Sequence, residues 1–204
     1  MLKPRTRIQE RNSRAILEAG LDVFSQHGFR GATLDQIAEV AGLSKPNLLY
    51  YFPSKDAVYH AILAHQLQTW LDPLRHMNPE GNPVEEVMAY VRRKLQLSRD
   101  FPRESRLFAN ELLQGAPHLI AEIEGPLKTL VDEKSAVLQR WMDAGRIARM
   151  PPVHLIFSVW SLTQHYADFD VQVRAVLGPG HDPFAEAEGF LDQLFRRLLA
   201  PDPG

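Results

Sequence analysis

Two groups of side chains in this 204-residue chain have the types and spacing to do chemistry. Phe157, Trp160, Gln164 and Asp168 fall three or four residues apart, so a helix over residues 154–169 puts them on one face. An indole is a flat platform, and a primary amide offers a donor and an acceptor side by side. A planar cyclic imide such as uracil presents the matching edge, a carbonyl beside an N–H. The same spacing equally suits a tryptophan that serves as core or subunit interface. The second group is Lys45, Asn47 and Tyr51, with Lys55 four residues further on. Ammonium, amide and phenol groups of this kind can meet base edges or phosphate oxygens.

Other chemistries lack their residues. The chain has no cysteine, which removes disulfide frameworks and thiolate metal sites. His60 and His65 are five apart and miss the i, i+4 facing that a helical metal pair needs. No H-E-x-x-H, G-x-S-x-G, Walker loop or glycine-rich dinucleotide turn occurs. Adjacent carboxylates such as Asp132 and Glu133 point apart on a helix. The sequence therefore reads as a binding protein with no cofactor and no metal, not as an enzyme.

The second group needs a scaffold, and residues 33–55 supply one. Thr33 with Gln36 three places on is a capping box for a short helix whose apolar side is Ile37, Ala38, Val40 and Ala41. Gly42 allows the positive φ of a turn, Ser44 caps a second helix, and Leu48 faces the first. Pro53 stops that helix, and Ser54 caps the next with Lys55 at its first position. A short helix, a glycine turn and a second helix with a polar outer face form a helix-turn-helix, the reader of duplex DNA. Ser44, Lys45, Asn47, Tyr51 and Lys55 are the candidate DNA residues, with Thr33 adding a cap and a phosphate contact. A preceding helix is expected over residues 13–26, closed by Gly28. Upstream, Lys3, Arg5, Arg7, Arg11 and Arg14 stand against Glu10, a basic arm expected to be disordered and able to lie along DNA.

Charge is divided to match. Residues 1–60 carry a net +2 and the remainder −4, within a total of −2. A modestly basic head on an acidic body confines nucleic-acid contact to one end. No run is long and apolar enough to cross a membrane, and the basic start leads into no secretory h-region, so a cytoplasmic location is expected. Period-two alternation is absent, and punctuation by proline and glycine predicts helices over 54–77, 83–100, 103–114, 118–145, 152–177 and 183–199. Pro73 and the Gly125-Pro126 pair are internal breakers of the first and fourth. The expected architecture is all-α, with a three-helix head over 1–53 and a larger ligand-binding and dimerisation bundle over 54–204. The helix from Ser54 would be shared by both, a lever that a ligand could move.

The G-F-R-G-A-T link (28–33), the turn glycine and the Y-Y-F-P-S-K exit (50–55) resemble the TetR family of bacterial transcription regulators. Tyr51 departs from the many members that carry histidine there; either can donate to a phosphate. Segments S-R-D-F-P-R-E-S-R-L-F (98–108), E-L-L-Q-G-A-P (111–117), D-E-K-S-A-V-L (132–138) and residues 154–169 resemble the pyrimidine-responsive members of that family. The resemblance implies a repressor that grips operator DNA as a homodimer and is released by uracil or thymine. It implies Trp160 and Gln164 as ligand residues, with Trp70, Asn110 and Asp168 beside them. A different aromatic or drug-like effector is the alternative. The dimer would use the last two helices, through Leu155, Val159 and Leu162 and through Phe190, Leu191, Leu194 and Leu198.

Overall fold

A computed structural model describes residues 7–201. Among them the elements are α1 (Arg7–Gly31), α2 (Leu34–Val40), α3 (Lys45–Tyr51), α4 (Lys55–Arg75), α5 (Pro83–Asp100), α6 (Pro102–Leu113), α7 (Ile120–Glu122), a π-helical segment (Ile123–Leu127), α8 (Lys128–Asp143), α9 (Pro152–Asp168), α10 (Asp170–Leu177) and α11 (Pro183–Leu199). No strand occurs among the described residues, so the all-α expectation holds. The chain divides into two compact units. The first runs to Leu67 and takes in Leu107–Ile120; the second comprises Gln68–Arg106 and the chain from Ala121.

In the first unit, Ile16, Phe24, Ile37, Leu48 and Val58 form the fully buried core. Their burial follows from the apolar phases of α1 and α2 and from the turn that sends α3 back across them. That turn is set by Gly42 at φ 66°, a left-handed conformation that a Cβ would strain. The capping box forms as the sequence predicts: Gln36 N–H donates to Thr33 Oγ1 at 3.2 Å, and Thr33 N–H donates to Gln36 Oε1 at 2.8 Å. Ser44 Oγ accepts from Asn47 N–H at 3.3 Å.

The distant part of this unit is held by a buried carboxylate. Glu111, on α6, is 2% exposed and accepts from the His118 backbone N–H at 2.7 Å. The His118 ring lies against Phe29 and Tyr59, at centroid distances of 4.7 and 5.0 Å. Burial drives the Tyr59 phenol well above its ordinary range, and the neighbouring Glu111 carboxylate adds to the shift.

In the second unit α5 packs on α9 and α11, and α8 packs on α9. The buried face of α5 is Val87, Met88, Tyr90, Val91, Lys94, Leu95, Leu97 and Ser98, a helical stripe interrupted by one ammonium group. Charge pairs Arg196–Glu85 (2.8 Å) and Arg92–Asp192 (3.4 Å) line the α5–α11 contact on its solvent side.

Several expectations change. The basic arm is helical from Arg7 onward, although the buried face of α1 begins only at Ser13; Lys3 and Arg5 lie outside the described residues. Gly28, at φ 65°, still breaks the helix where the glycine predicted. Pro73 sits inside α4 without ending it, and the helix stops at Arg75 rather than residue 77. Gly125-Pro126 does not split its helix; the extra residue per turn of the π segment absorbs the missing N–H. The expected 152–177 helix breaks at Phe169 (φ −114°, ψ 31°), with no proline or glycine to mark it. Leu155, Val159 and Leu191, expected at a subunit interface, are buried within the chain itself, leaving Phe190 and Leu198 exposed.

Candidate DNA interface and ligand site

The short α3 is fixed from beneath by Leu48, so its remaining side chains face outward: Ser44, Lys45 and Asn47 are exposed, as is Thr33 at the head of α2. Lys45 Nζ is paired with the Asp35 carboxylate at 2.9 Å, with both side chains largely in solvent. Tyr51 is half-buried and its hydroxyl accepts from Asn12 Nδ2 at 3.1 Å; the exposed Tyr50 accepts from Gln9 Nε2 at 3.2 Å. Gln9 and Asn12 thus tie the first turns of α1 to the end of α3. Arg7, Arg11 and Arg14, at i, i+4 and i+7, are all exposed and form one basic stripe along the same stretch of α1.

Lys55 is different from the other candidates. Its ammonium turns inward, donating to the carbonyls of Phe29 (2.8 Å) and Ala32 (3.0 Å), and lies 4.5 Å from the centre of the Phe29 ring. Both carbonyls lie past the break at Gly28, at the end of α1, and the lysine satisfies them. Two of its three donors are thus taken up inside the head, which leaves one for the phosphate contact expected from the sequence.

The second unit holds four of the ligand candidates, on two helices. Trp70 is buried on α4; Trp160, Gln164 and Asp168 are half-buried on α9. Trp160 Nε1 donates to the Tyr90 hydroxyl at 2.6 Å, which orients the indole from α5. Phe157 leans on the same indole at 5.3 Å between centroids. The Gln164 side-chain amide makes no hydrogen bond among the described residues. Asp168 accepts a short hydrogen bond from Ser105 Oγ at 2.5 Å. Asn110, by contrast, is exposed on α6 and belongs to the first unit.

Three residues here went unnoticed in the sequence: Tyr90, Ser105 and Lys94. Lys94 is 3% exposed, and its ammonium sits 4.9 Å from the Trp70 ring centre, a cation–π contact. Burial pushes the ammonium down to about 7, with the charge of Asp168 opposing that shift. Burial likewise raises the Asp168 carboxyl, against the Ser105 hydrogen bond and the charges of Lys94, Arg106 and His165. The signal for Lys94 lay in the phase of α5: it follows Tyr90 by four and Val91 by three, on the apolar stripe rather than with its neighbours Arg92 and Arg93. Two open clefts of about 550 and 540 Å³ lie elsewhere in the second unit, one beside Arg99, Arg106 and Arg174, the other beside Arg75 and Lys134. No cluster of three potential metal ligands occurs among the described residues.

A capped helix-turn-helix with exposed donors, followed by a larger helical region, defines a class. Residues 16–62 match the family of bacterial regulatory proteins of the tetR family, and residues 63–202 match the C-terminal region of YcdC-like proteins. The chain belongs to the TetR family and is a helix-turn-helix, DNA-binding transcription regulator. Among individual proteins, it is 52% identical over 174 residues to the HTH-type transcriptional regulator RutR of Escherichia coli strain K12, spanning 85% of this chain and 82% of that one. It is 24% identical over 192 residues to the A-factor receptor protein of Streptomyces griseus, spanning 91% of this chain and 62% of that one. In fold it is similar to a tetR-family regulatory protein from Rhodococcus, with a TM-score of 0.72 at 18% identity and coverage of 94% and 98%. It is also similar to the fatty acid degradation regulator FadR from Bacillus halodurans, with a TM-score of 0.68 at 19% identity and coverage of 95% and 96%. No helix among the described residues is long and apolar enough to cross a membrane.

Proposed function

We propose that this regulator represses its genes as a homodimer and leaves operator DNA when a uracil-like pyrimidine binds beside Trp160 and Gln164. It acts by binding rather than by catalysis. The observation that carries the reading is the pairing of an oriented indole with an uncommitted amide one helical turn away. Tyr90 fixes the Trp160 ring, so stacking costs little reordering, while Gln164 keeps donor and acceptor free for the complementary edge of an imide. The 52% identity to RutR supports the same assignment.

DNA contact falls to Lys45 and Asn47 on α3, to Thr33 and Ser44 at the helix starts, to Tyr51, and to the arginine stripe of α1. Thr33 and Ser44 serve through the helix N-termini they cap, where backbone N–H groups meet phosphate. One such head has few base contacts, which is the physical reason for a dimer: two heads reach half-sites about 34–36 Å apart or a multiple of that. The exposed Phe190 and Leu198 of α11 give the second copy an apolar surface to cover.

The experiment is a thermal melt of the purified protein with uracil, thymine, cytosine and uridine. A ligand that binds the folded state alone, at about a hundred times its Kd, adds roughly 2.7 kcal/mol and shifts the transition visibly. Stabilisation by uracil and thymine that disappears in Gln164→Ala is the expected result. Stabilisation by cytosine equal to that by uracil defeats the imide reading.

A further inference from the structure

One cleft of the second unit is lined by neither Trp160 nor Gln164. It encloses about 550 Å³, inside the roughly 300–1,000 Å³ of small-ligand pockets. Arg99 meets it from the last turn of α5, Arg106 from α6 and Arg174 from α10. Tyr166 and Phe184 add two rings, 6.1 Å apart at 50°, and Tyr166 is half-buried.

The three guanidinium groups keep most of their donors. Arg99 makes no hydrogen bond among the described residues; its Nε stands 3.7 Å from the Asp100 carboxylate. Arg106 gives one nitrogen to the Ala167 carbonyl at 3.3 Å. Arg174 bonds Asp170 through Nε at 2.7 Å, which leaves both terminal nitrogens unspent. The acids of the cleft, in contrast, are engaged. Asp170 holds that arginine, and Asp182 accepts from the Phe184 and Ala185 N–H groups at 3.0 and 3.2 Å. His181 is taken by Glu186 at 2.6 Å. All three arginines are exposed, so packing does not account for their gathering around one cavity.

We infer that this cleft binds a phosphate monoester carrying a flat ring, a mononucleotide, with its phosphate on the arginines and its ring against Tyr166. Guanidinium forks match phosphate oxygens in pairs, and such charge-assisted bonds are about twice as strong as neutral ones. An aromatic face accepts the face of any base, so the ring adds affinity without being read at its edge. The regulator thereby has a second small-molecule input, different in chemistry from the neutral imide beside Trp160 and Gln164.

The test is isothermal titration calorimetry of the full chain with uridine monophosphate, adenosine monophosphate, uridine and inorganic phosphate. Both nucleotides are expected to bind alike, inorganic phosphate about tenfold more weakly, and uridine at least about tenfold more weakly. Arg99→Glu breaks no hydrogen bond of the folded chain and is expected to weaken both nucleotides at least about tenfold. Arg149→Gln, at an exposed arginine outside the cleft, is expected to leave them unchanged, and saturating uracil is expected not to displace them. Nucleotide affinity that survives Arg99→Glu, falls equally in Arg149→Gln or yields to uracil overturns the inference. Uridine or phosphate binding as tightly as the nucleotides overturns it too, as does a wild type that binds neither nucleotide, whatever uracil does.

Discussion

Two lysines, one in each compact unit, turn their ammonium groups inward and end in opposite circumstances. Lys55 finds two backbone carbonyls and an aromatic face within the head, so the chain itself satisfies it. Lys94 finds an aromatic face and a carboxylate already engaged elsewhere, and its own donors stay unspent. The residue type is the same; what differs is the supply of acceptors. An inward lysine with matched acceptors is a structural strut, and one without them is a standing cost to the fold. The contrast also separates the two units, since the head presents its polar side chains outward from a satisfied interior while the body encloses an ammonium among apolar neighbours.

The contrast can be broken most forcefully at Lys94. Replacing a buried, poorly satisfied charge by an apolar side chain of similar length is expected to stabilise the ligand-free protein at pH 6 by about 1–4 kcal/mol in urea denaturation. The pH dependence carries the same sign. The folded-state value near 7 lies below the ordinary 10.5, so below pH 7 both folded and unfolded chains hold the proton and the cost is fully present. Between about 7 and 10.5 the unfolded chain holds a proton that the folded chain has released, and stability rises with pH. Lys94→Met is expected to flatten that rise; a wild-type curve without it breaks the comparison.

Lys55→Met should move stability the other way. Removing two charge-assisted bonds and leaving the Phe29 and Ala32 carbonyls without them costs about 2 kcal/mol, read as a lower denaturation midpoint. Its effect on DNA binding then tracks the loss of folded head and leaves the salt dependence of the folded fraction unchanged. A reduced salt slope with unchanged stability counts Lys55 among the phosphate contacts.

Gln164→Ala is expected to leave the melting temperature of the ligand-free protein within about 1 °C, because its amide bonds to nothing among the described residues, and to weaken uracil by about tenfold or more in calorimetry. The outer face of α3 is tested through DNA. Asn47→Ala is expected to relax discrimination at one base pair by about 1–3 kcal/mol in fluorescence anisotropy with variant operators. Lys45→Ala is expected to weaken all duplexes alike and reduce the salt slope by about one.

What could be read from the sequence followed the range of the forces involved. The head's caps and turn were legible because Thr33 and Gln36, Gly42, and Ser44 and Asn47 act on neighbours within a few residues. The inward bonds of Lys55 were invisible because its acceptors lie 23 and 26 residues away, and nothing local marks them. Trp160 and Gln164 were visible as an odd pairing on one helix face. Tyr90, which orients the indole, is 70 residues distant and looked like ordinary core. The break at Phe169 had no breaker residue to announce it, whereas Gly125-Pro126 announced a break that the π segment absorbed.

The pairing of Lys45 with Asp35 bears on how fast this protein finds its target. An exposed ion pair of this kind is worth about 0.2–1 kcal/mol, so the lysine gives it up readily to a phosphate held in the right register. On random DNA, where contact is loose and fleeting, the carboxylate competes for the same charge. Asp35 is therefore expected to act as a brake on indiscriminate adhesion, shortening each stay on irrelevant sequence and returning the regulator sooner to the search. Removing that carboxylate would make a stickier regulator, and a slower one.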